Sequence, residues 1–427
     1  MPLRQTVRDL LKRSLGVEAN ISMERRVPVL AGRLHEFDAF GLYLHIPFCR
    51  QICPYCPYSK ELYDPEVARA YSRVVMREID MYASMLDGQP VTSFYIGGGT
   101  PTTMLHNGLP DILEHVYRRF RMHCDIHMES HPNDLSSENI RAILALGVRH
   151  LSTGVEALQD HHLRTLHRPY TAAQAREAIG RAVAAGFACV NADLIFALPH
   201  QTYGEVEEAI CTLLDTGVDQ IAAYPLFRFP YTPWKQLCGD GDGLNLIQKR
   251  NMLRIVEDVC YAAGFDRTSV WAFTRHGVPK YCSVTVPLYI GLGASGGSYL
   301  RDIFYLNTFN VQEYVRALSD DRLPIALSLD LTEKMQMAGW LYWSVYETRF
   351  RKRDFQARFG VSFDQVYGTY TQMLSRLRLL SDDGEEVALS DNGAYWIHVL
   401  QDLFSIDYVS KLWATSQRDP WPARVVL

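Results

Sequence analysis

Six short apolar runs alternate with amphipathic segments between residues 41 and 226, and this alternation constrains the fold more than any other feature. We predict strands at Leu42–Ile46, Ser93–Ile96, Asp125–Glu129, His150–Val155, Val190–Phe196 and Gln220–Leu226. We predict intervening helices at Pro65–Met85, Leu109–Arg119, Ser137–Leu146, Ala172–Ala185 and Tyr203–Thr216. Parallel neighbouring strands need crossover helices, so the pattern predicts an α/β fold with a parallel sheet or barrel.

The 427-residue chain divides at two changes in character. Residues 1–40 are polar and arginine-rich, with a helix predicted at Leu3–Leu15, and form an N-terminal extension. Residues 41–300 carry the strand–helix alternation. Residues 301–427 are predicted to form a mainly helical, winged-helix-like C-terminal domain, in which helices precede a short hairpin. Its segment Leu374–Leu380 has two arginines among four leucines, which favours a packing surface over a nucleic-acid-binding helix.

Three cysteines, Cys49, Cys53 and Cys56, follow the first predicted strand with the spacing Cys-x3-Cys-x2-Cys. Cysteine thiolates are the usual ligands of iron–sulfur clusters. Three of them leave one iron of a 4Fe–4S cluster open, and an open metal position is typical of a reactive site. A structural zinc site is the alternative, but it requires four ligands, and the sequence has no second Cys-x2-Cys or histidine pair to complete it.

Polar and glycine-rich residues follow the ends of the predicted strands, where parallel α/β folds bind ligands. The cysteine loop follows the first strand and Gly97–Thr102 ends the second. Glu129 ends the third strand, Gly154–Glu156 the fourth, and Asp193 lies late in the fifth. A buried lone carboxylate is costly unless it is paired, so these positions indicate one shared site.

Composition narrows the class of protein. Apolar residues make up 48% of the chain and the net charge is −5, so we expect a large packed core and no nucleic-acid partner. No apolar run reaches the length of a membrane span, and the N-terminus lacks a signal-peptide core. Nine cysteines without disulfide-scaffold spacing fit a reducing compartment. We expect a cytoplasmic protein, acting as a monomer away from membranes.

The sequence resembles the radical S-adenosylmethionine (SAM) superfamily and, within it, the oxygen-independent coproporphyrinogen III dehydrogenases. The motifs that carry this resemblance are Tyr43-x-His45-Ile46-Pro47-Phe48-Cys49, the three cysteines, Gly97–Thr102, Ser152–Val155, Arg168 and Asn191–Thr202. The resemblance implies a partial (β/α)6 TIM-like barrel over roughly residues 40–300. It also implies a 4Fe–4S cluster on the three cysteines, which cleaves SAM to a 5′-deoxyadenosyl radical, and an electron donor such as flavodoxin or ferredoxin.

The family uses two SAM molecules, and the resemblance assigns residues to each. Positions matching contacts to the first SAM are Tyr43, Gly98 and Glu129. Positions matching contacts to the second SAM are Tyr55, Gly99, Thr100, Arg168 and Asp193. These residue types suit the ligand, because arginine binds a carboxylate through two hydrogen bonds and an aromatic ring can face a cation.

Two positions depart from the family's pattern. Tyr58 stands where the coproporphyrinogen enzymes continue the last cysteine as Cys-x-Cys, and Glu156 stands where a glutamine is expected at the second SAM. A buried Glu156 must meet a cation, and Arg168 or the substrate is the candidate. Because both changes touch the substrate edge, we treat Tyr58 and Glu156 as candidate catalytic residues and Glu156 also as a cofactor contact.

These departures favour the family's methyltransferase and cyclopropanase branch. There the second SAM donates a methyl or methylene group to an unsaturated or aromatic substrate. Oxidative decarboxylation of coproporphyrinogen III is the alternative. A haem-trafficking chaperone is a further alternative, although Tyr281–Pro287 lacks that branch's His-Asn-x2-Tyr-Trp stretch. We expect the substrate to be flat and unsaturated, with the loop Phe229–Trp234 and the C-terminal helices as its cover.

Four histidines near these motifs are expected to carry no chemistry. His45, beside the cysteine loop, is interpreted as a core histidine with satisfied hydrogen bonds rather than a proton donor. His161, His162 and His167 are expected to lie on an exposed helix.

Overall fold

The computed structural model describes residues 21–35, 37–234, 244–281 and 288–427. The predicted helix Leu3–Leu15 lies outside these residues. The strands in the described ranges are β1 (Ser22–Glu24), β2 (Phe40–Ile46), β3 (Phe48–Cys49), β4 (Glu61–Leu62), β5 (Pro90–Gly98), β6 (Arg121–Met122), β7 (Ile126–Ser130), β8 (Val148–Glu156), β9 (Cys189–Phe196), β10 (Gln220–Pro225), β11 (Phe265–Arg267), β12 (Ala272–Arg275), β13 (Tyr289–Leu292), β14 (Gly297–Tyr299), β15 (Ile303–Asn307), β16 (Ile325–Asp330), β17 (Arg349–Arg351), β18 (Leu380–Asp382), β19 (Glu386–Leu389) and β20 (Arg424–Val426).

The helices include the crossover connections that the alternation predicted. In chain order they are α1 (Ala31–Leu34), α2 (Pro65–Ala83), α3 (Leu109–Arg119), α4 (Ser137–Ala145), α5 (Asp160–Thr165), α6 (Ala172–Ala184), α7 (Tyr203–Asp215), α8 (Leu246–Ala262), α9 (Val311–Ser319), α10 (Glu333–Tyr346), α11 (Lys352–Phe359), α12 (Phe363–Arg376) and α13 (Asp391–Arg418).

The six predicted strands pair in parallel in the order β2, β5, β7, β8, β9 and β10, and β13 adds a further parallel neighbour beside β2. The sheet is open rather than closed, because antiparallel strands extend both of its edges. The predicted α/β fold with a partial TIM-like barrel is therefore confirmed. The carboxyl ends of the parallel strands meet on one side, which is where the predicted site residues lie.

Local capping explains where several crossover helices begin. Asp64 accepts hydrogen bonds from the first turn of α2, and proline follows it at the first helical position. Capping boxes begin α6 with Thr171 and Gln174, and α7 with Thr202 and Glu205. These pairs satisfy backbone N–H groups that the helix itself cannot, so the sequence fixes each helix start.

Two buried apolar clusters hold the crossover helices against the sheet. The first packs α2, α3 and α4 on strands β2 to β8, and the second packs α6, α7 and α8 on β9, β10 and β12. A mixed sheet runs on beyond the barrel through β14, β15 and β16 to β1 and β20. The domain boundary near residue 300 stays a prediction, because strands of this sheet continue past that residue to Asp330.

The C-terminal part contains the predicted helices and hairpin. Strands β17, β19 and β18 form a small antiparallel sheet, and α11 and α12 pack around Phe355 and Phe363 beside it. Helix α13, predicted to span Asn392–Leu403, runs on to Arg418. None of the helices in the described ranges combines the length and apolar character that a membrane crossing needs.

Candidate active site

The cysteine loop is closed at its base by β3 and β4, which pair in parallel. Inside the loop, Lys60 Nζ donates hydrogen bonds to the carbonyl oxygens of Cys56 and Tyr58 at 2.7 and 2.9 Å. The backbone N–H of Cys56 donates to the carbonyl of Cys53 at 3.3 Å. These bonds fold the loop into a tight turn, which presents its cysteines at the carboxyl end of the barrel strands.

The glycine turn after β5 packs directly against the first cysteine. Thr100 Oγ1 lies 3.5 Å from Cys49 Sγ. A Cβ atom on Gly99 would lie 3.0 Å from that sulfur and 2.8 Å from the Phe48 carbonyl oxygen. Both distances are shorter than ordinary contacts, so the position of Cys49 requires glycine at residue 99.

Replacing Gly99 by alanine is expected to displace the cysteine loop and to lower the iron content of the reconstituted protein by more than half. The cause is the overlap with the Phe48 carbonyl, because overpacking costs about 1–3 kcal/mol and moves its neighbours. Iron and sulfide analysis checks this result. The matched control is Gly180→Ala on α6, where an added Cβ meets nothing within 4 Å. Equal iron content in the two variants would contradict the packing argument.

Glu129 is held at the end of β7 by two hydrogen bonds. Its carboxylate accepts one from the Gly98 N–H at 3.0 Å and one from the Tyr95 hydroxyl. Gly98 has φ of +118°, a conformation that favours glycine. Burial raises the pKa of Glu129 to about 7, against the lowering by these two hydrogen bonds. A buried carboxyl of this kind becomes a favourable anion once a cationic group lies beside it.

Tyr43 lies on β2, and its hydroxyl is 2.8 Å from His45 Nδ1. His45 Nε2 is 3.0 Å from the Ser59 carbonyl oxygen, so Nε2 carries the proton and Nδ1 accepts from Tyr43. Burial lowers the pKa of His45 to about 4, against the effect of the Ser59 hydrogen bond. His45 is thus a neutral, buried histidine with both nitrogens hydrogen-bonded, as predicted.

Asp193 lies between two polar neighbours on the barrel strands. Its carboxylate accepts from Ser152 Oγ at 2.8 Å and from Asn191 Nδ2 at 2.9 Å. Burial raises the pKa of Asp193 to about 7, and the nearby carboxylate of Glu156 contributes. The side chain is therefore oriented by the fold but lacks a cation among these direct partners.

Arg168 links the cysteine loop to β8. Its guanidinium donates to the Gly154 carbonyl at 2.5 Å, to the Tyr170 hydroxyl at 2.7 Å and to Cys53 Sγ at 3.3 Å. A further contact to the Tyr55 hydroxyl measures 3.5 Å. The fixed guanidinium places one positive charge beside the second cysteine.

Glu156 is buried at the end of β8, and its φ of +65° is unusual for a residue other than glycine. Its carboxylate accepts from the Tyr224 hydroxyl at 3.3 Å. A Cβ on Gly154 would touch both Glu156 Oε1, at 2.8 Å, and Arg168 Nη2, at 3.5 Å. Burial raises the pKa of Glu156, and Arg168 lowers it in part. These distances agree with the expectation that Arg168 lies near the Glu156 carboxylate.

Two tyrosines of the cysteine loop differ in exposure. Tyr55 is partly buried, and its ring packs edge-on against Trp234 with centroids 6.3 Å apart. Tyr58 is 58% exposed and lines the cavity described next. The nearby Glu129 carboxylate is among the causes that raise the pKa of Tyr58. Tyr58 can therefore contact a bound ligand as a neutral phenol.

One cavity of about 680 Å³ brings these side chains together. The predicted site residues that line it are Cys49, Cys53, Tyr55, Cys56, Tyr58, Gly98, Gly99, Thr100, Glu129, Glu156, Arg168 and Asp193. Tyr43 is not among the lining residues and contacts His45 instead. The opposite wall includes Phe229 of the predicted cover loop, Trp271, and His398 of α13.

Several residues of the site were missed from the sequence. Tyr95 orients Glu129, and Ser152 and Asn191 orient Asp193. Sheet pairing offers a signal, because Ser152 lies opposite Asn191 in the register of β8 and β9. No local pattern identifies His398, because it reaches the cavity from a helix far along the chain.

The residues present fit both implied cofactors. Burial raises the pKa of Cys49 to about 12, and the two neighbouring thiols add to the effect. Such thiols are protonated until a metal replaces the protons. Beyond them, the carboxylates of Glu129, Glu156 and Asp193 line the same cavity as the Arg168 guanidinium. Counted as ionised groups, these four side chains carry a net charge of about −2, which suits cationic ligands.

Residues 43–212 match the family model described as the radical SAM superfamily. The match contains the three cysteines and every predicted cofactor contact. This part of the chain is therefore similar to the radical SAM superfamily.

Proteins similar to this chain include a heme chaperone and oxygen-independent coproporphyrinogen III oxidases. It is 26% identical over 362 residues to the heme chaperone HemW of Bacillus subtilis (strain 168), covering 82% of this chain and 95% of that protein. It is 27% identical over 246 residues to the oxygen-independent coproporphyrinogen III oxidase of Paracoccus denitrificans (strain Pd 1222), covering 56% of this chain and 54% of that protein. The structure of coproporphyrinogen III oxidase (HemN) from Escherichia coli matches its fold with a TM-score of 0.78 at 18% identity, covering 90% of this chain and 94% of that one.

These relatives do not support the predicted methyltransferase or cyclopropanase branch, since they are a chaperone and oxidases. They agree better with the alternative of coproporphyrinogen-type chemistry. The segment that set the chain apart from the haem-trafficking branch falls mostly at residues 282–287, outside the described ranges.

Proposed function

We propose that this protein is a radical SAM oxidoreductase that oxidatively decarboxylates propionate side chains of a porphyrinogen. The proposal is carried by one observation: one cavity of about 680 Å³ is lined by all three cysteines, by the carboxylates of Glu129, Glu156 and Asp193, and by Arg168. A volume of this order suits a large organic ligand. The similarity to coproporphyrinogen III oxidases supports the reaction type.

The cavity's charges support two SAM molecules in this proposal. SAM carries a sulfonium, an ammonium and one carboxylate, so its net charge is about +1. Two molecules would balance the net charge of about −2 from Glu129, Glu156, Asp193 and Arg168. Each carboxyl would then ionise beside a cation, which removes the cost of an unpaired buried charge.

Different residues of the chain would bind the cluster and each of the two SAM molecules. Cys49, Cys53 and Cys56 would hold the cluster, which when bound supplies the electron that cleaves SAM to a 5′-deoxyadenosyl radical. Glu129 and the backbone at Gly98 would bind the amino group of the first SAM. The fixed guanidinium of Arg168 would bind the carboxylate of the second.

The outer cavity suits a flat, acidic substrate. Trp271 and Phe229 supply an aromatic wall, and Arg50 is a basic residue of the lining that can meet a propionate carboxylate. Tyr58, on the cysteine loop, is exposed and lines the cavity, where its phenol would contact the substrate. The walls would shield a carbon radical from water.

A haem chaperone is the second candidate function. The specific observation in its favour is that the alignment with Bacillus subtilis HemW covers 95% of that protein. The same cavity would then hold haem without turnover. The cysteines would serve a cluster in either function, so they do not separate the two.

Product analysis is the test. The reconstituted, reduced protein is incubated anaerobically with SAM and coproporphyrinogen III, and the products are separated by mass spectrometry. We expect 5′-deoxyadenosine, carbon dioxide and vinyl-containing product. S-adenosylhomocysteine with methyl-derived carbon in the product would overturn the proposal in favour of group transfer. Stoichiometric haem binding without 5′-deoxyadenosine would overturn it in favour of the chaperone.

A further inference from the structure

Two adjacent histidines on α5 face a glutamate in the first turn of α7. The prediction of an exposed helix is wrong for His162, which is only 1% exposed, whereas His161 is exposed. His167 is exposed as well, but it lies in the turn after the helix, which ends at Thr165. Nε2 of His161 lies 3.0 Å from Glu205 Oε1, and Nε2 of His162 lies 3.6 Å from the same oxygen. All three candidate ligand atoms lie within 4.8 Å of one another.

The capping box of α7 fixes the direction of this carboxylate. Glu205 Oε2 accepts hydrogen bonds from the backbone N–H of Thr202 at 2.8 Å and from its hydroxyl at 2.9 Å. The carboxylate therefore has one oxygen engaged in the fold and the other turned toward the histidines. A ligand oxygen that is oriented before the metal arrives favours metal binding.

One ring nitrogen of the buried histidine has no hydrogen-bond partner among the described residues. His162 Nε2 is buried and has no hydrogen-bond partner in the described structure, because 3.6 Å from Glu205 is beyond hydrogen-bond length. A buried ring nitrogen without a hydrogen-bond partner costs free energy, and a bound ligand would remove that cost.

We propose that His161, His162 and Glu205 bind a divalent transition-metal ion of the zinc class. Zinc accepts imidazole nitrogen and carboxylate oxygen at about 2.0–2.2 Å, which in a tetrahedron places ligand atoms about 3.4 Å apart. The observed separations of 3.0 and 3.6 Å lie on either side of that value. The exposed edge at His161 leaves the fourth position to water.

An ordinary ion pair does not account for the arrangement. His276 and Asp266 form such a pair elsewhere on the surface, with Nδ1 and Oδ2 2.9 Å apart and both side chains well exposed. That pair has one histidine and no buried nitrogen without a partner. The two-histidine cluster differs in both respects, and His276 therefore provides a matched control.

The metal would connect α5 to α7 beside the active-site wall. The segment after α5 carries Arg168, whose backbone N–H donates to the Leu163 carbonyl at 2.8 Å. Gln51 of the cysteine loop donates to the His167 carbonyl at 2.7 Å. A bound ion would thus brace the turn that presents Arg168, although its three ligands do not line the cavity.

The test measures zinc on the cluster-loaded protein. One equivalent of zinc sulfate is added anaerobically, loose metal is removed by gel filtration, and zinc and iron per chain are counted by mass spectrometry. We expect about one zinc per chain with unchanged iron, and a zinc-dependent rise in the thermal unfolding midpoint. In His161→Ala and in Glu205→Gln the zinc affinity should fall by a factor on the order of 10 to 100 or more.

Both variants are chosen to fold. His161 is exposed, and glutamine can replace glutamate in a capping box. His276→Ala should bind zinc as the unchanged protein does. Equal zinc retention in the unchanged protein and His161→Ala would overturn the proposal, as would zinc uptake matched by loss of iron or no zinc uptake at all. None of these outcomes depends on the proposed reaction.

Discussion

Replacing Cys53 by alanine is expected to abolish the cluster and, with it, SAM cleavage. Two thiolates cannot hold the three ligated corners of a 4Fe–4S cluster. The variant also removes the sulfur that accepts a hydrogen bond from Arg168 at 3.3 Å, so the guanidinium loses one of its fixed partners. Iron per chain should fall from about four to near background. 5′-Deoxyadenosine should become undetectable under conditions where the unchanged protein forms it.

Cys211→Ala is the control for this variant. Cys211 is an exposed cysteine on α7, away from the cavity lining. Its replacement should leave iron content and SAM cleavage as they are. If Cys53→Ala retains cleavage, the assignment of the three cysteines as cluster ligands is wrong.

Replacing Asp193 by asparagine is expected to stabilise the SAM-free protein at pH 8 while removing its activity. The pKa of Asp193 is raised to about 7 from an ordinary value of 3.8, chiefly by burial. The folded chain therefore binds a proton that the unfolded chain releases. This carboxyl's contribution to the free energy of unfolding falls as pH rises from about 4 to about 7, and it stays low above that. Asparagine avoids the cost, which we expect to be on the order of 2 kcal/mol at pH 8.

Thermal unfolding at pH 5 and pH 8 provides the measurement. Asp193→Asn should raise the midpoint at pH 8 and raise it by clearly less at pH 5, where only the first part of the penalty has accumulated. Glu129 has a raised pKa of about 7 for the same reason, so the unchanged protein should lose stability over the same range. Asp258→Asn on the exposed face of α8 is the control and should shift neither midpoint. A lower midpoint for Asp193→Asn at pH 8 would show that its hydrogen bonds outweigh the burial cost.

The parallel strands could be predicted because each is short, apolar and followed by an amphipathic helix. Their pairing order follows from the crossovers, and the capping boxes mark where α6 and α7 begin. Helix α13 was predicted far too short. It has no glycine or proline after its first turn until Pro420, but its polar and apolar residues follow no clear helical period. The additional strand β17 was missed because it pairs with a hairpin about 35 residues away, and such long-range pairing leaves no local pattern.

Site residues that belong to a motif or lie near the end of a predicted strand, such as the cysteines, Glu129 and Asp193, could be predicted from the sequence. What the sequence could not give is which neighbours orient them, because Tyr95 and Ser152 act across strands. The burial of individual side chains could not be predicted either. His161 and His162 are adjacent, and neighbouring residues on a helix point about 100° apart, so one can be buried while the other is exposed.

The cavity is built from two stretches of chain that lie far apart in the sequence. The wall that carries the cysteines comes from the barrel, where a Cβ on Gly99 would lie only 3.0 Å from Cys49 Sγ. The facing wall includes His398 and other residues of α13, more than 200 residues away. Substitutions in α13 therefore change the lining of the cavity without touching the cysteine loop. Under the proposed function, we expect chimeras that exchange α13 with a relative to alter the choice of substrate while iron content stays the same.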